Sequence, residues 1–178
     1  AMSPAVPVPF SVVAEFDRVM QASRADFKVQ AGPAQPRLRI GRDRLSFKVS
    51  AGRSGHVYVL VGGPDGSLLL MFPNSVAPDN RIAAGQTLTL PQPSWPLDTA
   101  EPAGAEHFVV IVSEHPRDFS HLSQAREAWF LRLPTGPAAA ALAAGHAGAG
   151  SVMAGKARCT GADCDAYGAA RFSVDVVN

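Results

Sequence analysis

The sequence predicts a mainly β (α+β) fold, an immunoglobulin-like antiparallel β-sandwich decorated by two or three helices. Short apolar runs recur about every ten residues, Gly, Pro and Asp turn signals separate them, and helical spacing is confined to a few segments. The chain has 178 residues and 47% of them are apolar, which is enough for one core. We expect a single domain over 1–178, with the core sandwich at 38–119 between two flanking regions.

The first flanking region, 1–37, should contain a helix and a strand. Ser11 is a suitable N-cap, and apolar residues follow it at helical spacing, namely Val12, Val13, Phe16, Val19 and Met20. Polar and apolar residues alternate over 26–31, which predicts a strand. Two further strands are predicted at 38–40 and 45–50.

The segment 55–74 predicts a β-hairpin at the centre of one sheet. Its apolar runs, 56–61 and 67–72, flank the turn Gly-Gly-Pro-Asp-Gly, in which Pro64 presets φ and Gly66 can adopt positive φ. Both runs are apolar on both faces, which is typical of central strands. Pro73 lacks an N–H group and should end the second strand at Phe72.

The rest of the chain predicts three strands, a long loop and a helical region. Strands are expected at 86–90, 106–113 and 170–177, and a proline-rich ordered loop at 91–102. A helix is predicted from Asp118, with Asp118 or Ser120 as N-cap and an apolar face at Leu122, Ala125, Trp129 and Phe130. The Ala/Gly-rich segment 138–150 fits a short helix or a loop. The second flanking region, 120–178, thus contains a helix, this segment and the closing strand.

Charge and hydropathy argue against two partner classes. The formal net charge is +1, from 16 basic and 15 acidic residues, so no nucleic-acid partner is expected. No apolar run is long enough to insert into a membrane. We expect Ala1-Met2 to be a cloning remnant ahead of a fragment that starts within a longer protein.

The two cysteines, Cys159 and Cys164, flank a Gly-Ala-Asp turn. Their spacing favours a local disulfide formed in an oxidising compartment, worth about 2 kcal/mol by the chain-entropy estimate. A pair of reduced thiols is the alternative. A zinc site would need about four ligands, and the Cys-x-x-Cys redox spacing is absent.

No motif establishes a catalytic, metal or cofactor site. The stretch 150–157 resembles a phosphate-binding loop but ends in Ala157 rather than a hydroxyl residue, and no strand precedes it. Residues 115–118 lack the spacing of a kinase catalytic loop. We predict that the chain is not an enzyme and binds no metal or cofactor. A metal-dependent hydrolase remains a less favoured alternative, if His107, His115 and His121 converge.

Loops after the hairpin are the predicted binding region. Asn74, Asn80 and Arg81 lie in a segment rich in residues with defined turn geometry, and Trp95 lies in the proline-rich loop. An exposed Trp can anchor a partner. The alternative for Trp95 is that it covers the open end of the sandwich, as expected for a residue that is usually buried.

Several of these segments together resemble the bacterial family of domains of unknown function numbered 4384. They are Gly55–Val59, Asp65-Gly66, Leu70–Asn74, Asn80–Gly85, Leu90-Pro91 and Pro102–Glu106. The resemblance covers roughly 38–119, and His56 stands where the family commonly has an aromatic residue. The ending, from Cys159 through Tyr167 to Phe172, resembles C-terminal extensions of members linked to type VI secretion.

The resemblance implies a non-catalytic module with no catalytic residues to transfer. Similar domains form C-terminal, often extracytoplasmic parts of bacterial proteins, some with a Ser/Thr kinase domain upstream and some in secretion or envelope systems. We therefore expect a periplasmic binding, sensing or interaction module whose partner is a protein or an envelope component. A structural subunit of an envelope or secretion assembly is the alternative.

Overall fold

A computed structural model describes residues 9–95, 99, 101–122, 125–127, 129–161 and 164–178. It contains two α-helices, α1 (Val12–Ala22) and α2 (Gly136–Ala144), and short 3₁₀ turns at Ala25–Phe27 and Val152–Ala154. The strands are β1 (Gln30–Pro33), β2 (Arg37–Arg39), β3 (Phe47–Ser50), β4 (Gly55–Gly62), β5 (Leu68–Phe72), β6 (Arg81–Ile82), β7 (Thr87–Leu90), β8 (Gly104–Ser113), β9 (Arg117–Asp118), β10 (Ala125–Glu127), β11 (Phe130–Leu133), β12 (Lys156–Ala157) and β13 (Tyr167–Val177).

The strands form a large sheet and a small sheet that pack as a β-sandwich, which confirms the predicted mainly β, α+β class. The large sheet has eight strands, in the order β10-β11-β5-β4-β8-β13-β2 with β6 paired to the start of β4. The small sheet has the order β1-β3-β7. All these pairs are antiparallel except β13 with β2, which is parallel, so the large sheet is mixed. A separate two-stranded pair joins β9 to β12.

The central strands are apolar on both faces because both faces of the large sheet are covered. On one face, Val57, Val59 and Val61 pack with Phe47 and Leu90 of the small sheet. On the other face, side chains of β4 and β8 pack with α1, α2 and the second 3₁₀ turn, through Tyr58, Leu60, Val109 and Ile111. The predicted hairpin therefore occupies the middle of a three-layer core.

The hairpin turn has the geometry predicted for it. Gly63 donates its backbone N–H to Ser67 O at 2.9 Å, and Gly66 has φ +84°, in the left-handed region that glycine adopts without strain. The second strand ends at Phe72, immediately before Pro73, as expected. At the N-terminal helix, Ser11 caps α1 by accepting the Ala14 N–H at 3.2 Å.

Two predicted elements are wrong. Over 26–31 the chain forms a 3₁₀ turn and then β1, because Lys28 adopts left-handed φ of 51° and breaks the alternation. The helix predicted from Asp118 is absent from the described residues of that region, which form β10 and β11 instead. Asp118 does accept the Ser120 N–H at 2.8 Å, but it caps only a turn.

The Ala/Gly-rich segment contains a helix, α2, over its first half. Thr135 stands at its N-cap and Pro137 lies in its first turn, where a missing N–H costs no intrahelical bond. The closing strand, predicted at 170–177, begins earlier, at Tyr167. No helix among the described residues has the length and apolar character needed to cross a bilayer.

Candidate functional site

The candidate site lies where the chain leaves the central hairpin. A pocket of about 640 Å³ opens between the loop that follows β5 and the outer strands of the large sheet. Its lining residues are Leu70, Pro73, Asn74, Ser75, Pro78, Arg126, Trp129 and Leu131. The pocket therefore includes part of the loop region that the sequence singles out.

Asn74 shapes the wall of the pocket from within. Its side chain is 8% exposed, its Oδ1 accepts the N–H groups of Val76 and Ala77 at 3.0 and 2.8 Å, and its Nδ2 donates to Met71 O at 2.9 Å. These bonds make a closed side-chain turn of the kind that Asn favours. Val76 is 42% exposed as a consequence, and it presents an apolar surface beside the pocket.

Ser75 fastens the wall to the opposite side of the pocket. Its N–H and its hydroxyl both donate to Trp129 O, at 3.0 and 3.1 Å. The ring of Trp129 packs on Trp95, with centroids 5.6 Å apart, and Trp95 packs on Phe72 at 5.3 Å. Two hydrogen bonds and a row of aromatic rings thus hold the pocket open in one shape.

Trp95 is buried at 1% exposure, and its Nε1 has no hydrogen-bond partner among the residues that the structure describes. This is the position expected if Trp95 covers the end of the sandwich rather than anchoring a partner directly. It supports the pocket from behind through Trp129. The remainder of the predicted loop binding surface at 96–98 and residue 100 lies outside the described residues.

Asn80 and Arg81 have contrasting positions. Asn80 is 8% exposed and forms two hydrogen bonds with Val57 of β4. Its side-chain Nδ2 donates to Val57 O at 2.8 Å, and its backbone carbonyl accepts the Val57 N–H at 2.7 Å. Arg81 is exposed and pairs with Asp79 at 3.1 Å. The hydrogen bond from the Arg81 side chain is the main reason that the pKa of Asp79 lies below its usual value.

The floor of the pocket is formed by a row of neighbouring side chains that runs across one face of the large sheet. The helical layer does not cover the end of this row. The register places Arg126 beside Leu131, Leu131 beside Leu70, and Leu70 beside Leu60. Leu60 is fully buried under the helical layer, Leu70 is 6% exposed, Leu131 is half-buried and Arg126 is exposed. The helical layer therefore covers the middle of the sheet and leaves this apolar face open near β10.

The pocket is apolar at its floor and cationic at its rim. None of its described lining residues is acidic, and Arg126 forms no ion pair with any residue that the structure describes. An apolar cavity with one unpaired cation suits an apolar group next to a negative charge. Sequence reasoning missed Arg126, Trp129 and Leu131 as site residues because it assigned them to a helix.

The histidines of the alternative metal site do not come together. His107 lies near the start of β8, where its Nδ1 is 2.9 Å from Ser173 Oγ, whereas His115 follows the other end of that strand. His121 lies in the turn after β9, and burial lowers its pKa. Within the described part of the chain, no group of three or more His, Cys, Asp or Glu residues could hold a metal ion.

A second, wider depression of about 800 Å³ lies at the opposite end of the sheet. It is bounded by the hairpin turn, the start of α1 and the start of β8, and much of its surface is glycine backbone. Asp65 lines it, but both the N–H and the hydroxyl of Ser67 already donate to Asp65 Oδ1, at 3.1 and 2.6 Å. The bond from the Ser67 hydroxyl is the main reason that the pKa of Asp65 is lowered.

The predicted disulfide between Cys159 and Cys164 is present, with Cα atoms 6.0 Å apart. Next to it, Asp165 pairs with the buried Arg117 at 2.7 Å. Arg117 also donates to Ala154 O at 2.7 Å and to Gly155 O at 3.3 Å. The disulfide segment is thereby joined to the core of the domain, and its presence favours an oxidising, extracytoplasmic setting.

Comparison with known proteins finds a family match over less than half of the chain. The chain has no significant match among curated proteins or among solved structures. Residues 37–116 match the family described as Domain of unknown function (DUF4384). This match runs from β2 to just beyond β8, so it includes the hairpin and the Asn74 wall, whereas Arg126, Trp129 and Leu131 follow it. Over these strands the chain is therefore similar to the DUF4384 family.

Proposed function

We propose that this chain is a non-catalytic binding module of a bacterial envelope protein and that it works in the periplasm. The observation that carries the proposal is the apolar pocket at the hairpin exit, where Arg126 lies at the rim and pairs with no acidic residue in the described part of the chain. A preformed apolar cavity with few polar groups is the usual form of a binding site. Loops held by a rigid sheet are a common way to present one.

The disulfide supports the periplasmic part of the proposal, since such bonds persist in oxidising compartments and are rare in the bacterial cytosol. The likeness of the C-terminal segment to extensions of type VI secretion proteins suggests the larger context. We propose that a Ser/Thr kinase linked to that system, or another envelope protein, carries this module as its C-terminal part.

Thiol trapping in intact cells tests the location. Cells that produce the native full-length protein are treated with a membrane-permeable alkylating reagent, with and without prior reduction. We expect Cys159 and Cys164 to react only after reduction. Labelling of both thiols without reductant would place the domain in a reducing compartment and would remove the periplasmic assignment.

Site-specific photocrosslinking in the same cells tests the binding role. A benzoylphenylalanine is placed at Leu131 on the pocket floor and, as the control, at Val13, which is 41% exposed on α1. We expect one envelope component, identified by mass spectrometry, to be crosslinked from position 131 and not from position 13. Equal products from both positions, or none from either, would contradict the proposed site.

A further inference from the structure

We propose that the pocket and strand β10 together bind an extended peptide, which adds to the large sheet as a further strand and carries an acidic residue two positions from a bulky apolar one. This inference rests on the proposed binding role and names the chemical class of the partner. It combines three features: a strand edge that no described strand covers, an apolar pocket beside that edge, and Arg126, which has no ion-pair partner among the described residues.

The free edge is β10 itself. Among the described strands, β10 pairs only with β11, through Ala125, Arg126 and Glu127. In an antiparallel pair, backbone groups point alternately toward and away from the partner, so part of the β10 backbone faces outward. An extended peptide can bind such groups, and pockets beside the edge then select its side chains.

The pocket lies on the face that an added strand would continue. Arg126 and Leu131 are cross-strand neighbours on the same face as Leu70. The row therefore extends from the buried core to the sheet edge, and a residue added beside Arg126 would become its next member. Residues two apart in the added strand share this face, so the neighbour at that spacing can reach the pocket with a long side chain.

Charge selects the residue beside Arg126. Its guanidinium has no ion-pair partner among the described residues, and the part of the pocket lining that the structure describes contains no carboxylate. An Asp or Glu directly across from a cation on one face of a sheet is favourable, and a Lys there is unfavourable. The apolar residue two positions away would lie on the same face as this pocket, whose apolar lining includes Leu131, Pro73 and Trp129.

Other sheet edges lack this combination. At the opposite end of the large sheet, β2 exposes Arg37 and Arg39. Neither residue lines any of the cavities around the hairpin exit or the hairpin turn. At one edge of the small sheet, β1 ends in Pro33, which has no N–H to donate. Among the edge strands that the structure describes, β10 is the one that contributes a residue to the apolar pocket.

Fluorescence anisotropy with three blocked ten-residue peptides tests the inference on the purified, oxidised chain. All three alternate Thr and Val; the first has Asp two residues before Leu, the second replaces that Asp with Lys, and the third replaces that Leu with Gly. We expect only the first to bind the unaltered protein with measurable affinity. Hydrogen exchange of the Ala125–Glu127 amides should slow when it binds, because a backbone edge becomes paired.

The variant Arg126→Glu should reverse the preference between the first two peptides. In this variant the Asp peptide exchanges an attraction for a repulsion, and the Lys peptide exchanges a repulsion for an attraction. At a partly exposed pair, each exchange corresponds to about a fivefold change in affinity. Arg39→Glu, on the opposite edge strand, makes the same change in net charge and should leave both affinities unchanged. If Arg126→Glu does not fold, Leu131→Gln should weaken the first peptide while leaving the spectrum of the folded protein intact.

Three results would overturn the inference. The first is no binding of the first peptide at millimolar concentration, and the second is an unchanged preference between the first two peptides in Arg126→Glu together with an unchanged affinity for the first peptide in Leu131→Gln. The third is that Arg39→Glu changes the two affinities as much as Arg126→Glu does. Crosslinking from position 131 in cells without peptide binding would preserve the binding role and exclude this partner class. Charge-dependent peptide binding with reactive thiols in cells would preserve the inference and exclude the periplasmic assignment.

Discussion

Replacement of Arg117 tests how the disulfide segment is held to the core. The Arg117 side chain is only 2% exposed, and four acceptors surround it, namely Ala154 O, Gly155 O, Ser113 Oγ and Asp165 Oδ1. Its guanidinium also lies 5.1 Å from the centre of the Tyr167 ring. Because Asp165 is 72% exposed, water can replace its share of the contact at small cost, whereas the contact to Ala154 O is buried and the contact to Gly155 O is partly buried.

Arg117→Leu keeps an apolar side chain in place and removes every donor. A buried acceptor left without a donor costs roughly 1–3 kcal/mol, and the variant leaves two carbonyls and one hydroxyl in that state. Part of this cost is offset because a charged group is no longer buried. We therefore expect the free energy of unfolding to fall by about 3 kcal/mol. Arg117→Lys retains the charge but loses the planar fork, and about 2 kcal/mol should be lost. Asp165→Asn, which affects only the exposed partner, should cost less than about 1 kcal/mol.

Urea unfolding of the oxidised protein provides the measurement, with fluorescence of the buried Trp95 and Trp129 as the signal. The order of the three variants decides the matter. If Asp165→Asn destabilises as much as Arg117→Leu, the ion pair and not the carbonyl contacts holds the segment, and the reasoning fails. Equal denaturant slopes are required for the comparison, because a changed slope would indicate a changed unfolded state.

Four further predictions concern stability and pH. Asn74→Ala should cost about 2 kcal/mol in urea unfolding, because the Asn74 side chain makes three hydrogen bonds, two of them buried, whereas Asn74→Asp should retain the two accepted ones. Gly66→Ala should cost about 1 kcal/mol because φ is +84°, and Gly32→Ala, at a position with open space and no positive φ, is the control that should cost nothing measurable. Reduction of Cys159–Cys164 should lower stability by about 2 kcal/mol; no change in the urea midpoint would contradict the chain-entropy estimate. Burial raises the pKa of Glu106, so its contribution to stability is full below the ordinary carboxyl pKa and is lost as pH rises through the raised value. Thermal unfolding from about pH 4 to 7 should therefore show a decline in Tm that Glu106→Gln reduces, and parallel curves for the two proteins would refute this.

The hairpin, α1 and β8 were predictable because each carries a strong local signal. Pro64 and Gly66 fix the hairpin turn, and the double-faced apolar runs of β4 and β8 indicate central strands. The Ser11 cap and the helical apolar spacing define α1. In these elements the local preference and the tertiary position agree, so the pattern alone was sufficient.

The pairing of β10 with β11 was not predictable, because a short apolar run is compatible with both the spacing of a helix and the alternation of a strand. Leu122, Trp129 and Phe130 fall at helical spacing, yet Leu122 is buried in a turn and Trp129 packs on Trp95. The pairing of β11 with β5 decides the outcome, and that contact joins segments that are distant in sequence. The candidate pocket depends on this pairing, which is why Arg126 and Leu131 were missed.

Asn74 and Asn80 show a different limit of sequence reasoning. The density of turn residues correctly indicated ordered loops at the hairpin exit, but the same residues satisfy buried backbone groups of β4 and of the loop itself. Whether a loop Asn faces inward or outward depends on which backbone groups lie nearby, and these are brought there by the fold. Of the four predicted loop residues, Arg81 is the one whose side chain is exposed.

The parallel pairing of β2 with β13 bears on how the domain is made. Arg37 pairs with Asp175, so an early segment of the chain acquires its sheet partner only when a very late one has emerged. A nascent chain that lacks β13 therefore leaves β2 without its neighbour and one edge of β8 open. Because this pairing joins segments that lie far apart in the sequence, the large sheet stays incomplete until β13 has been synthesised, however early the central hairpin forms.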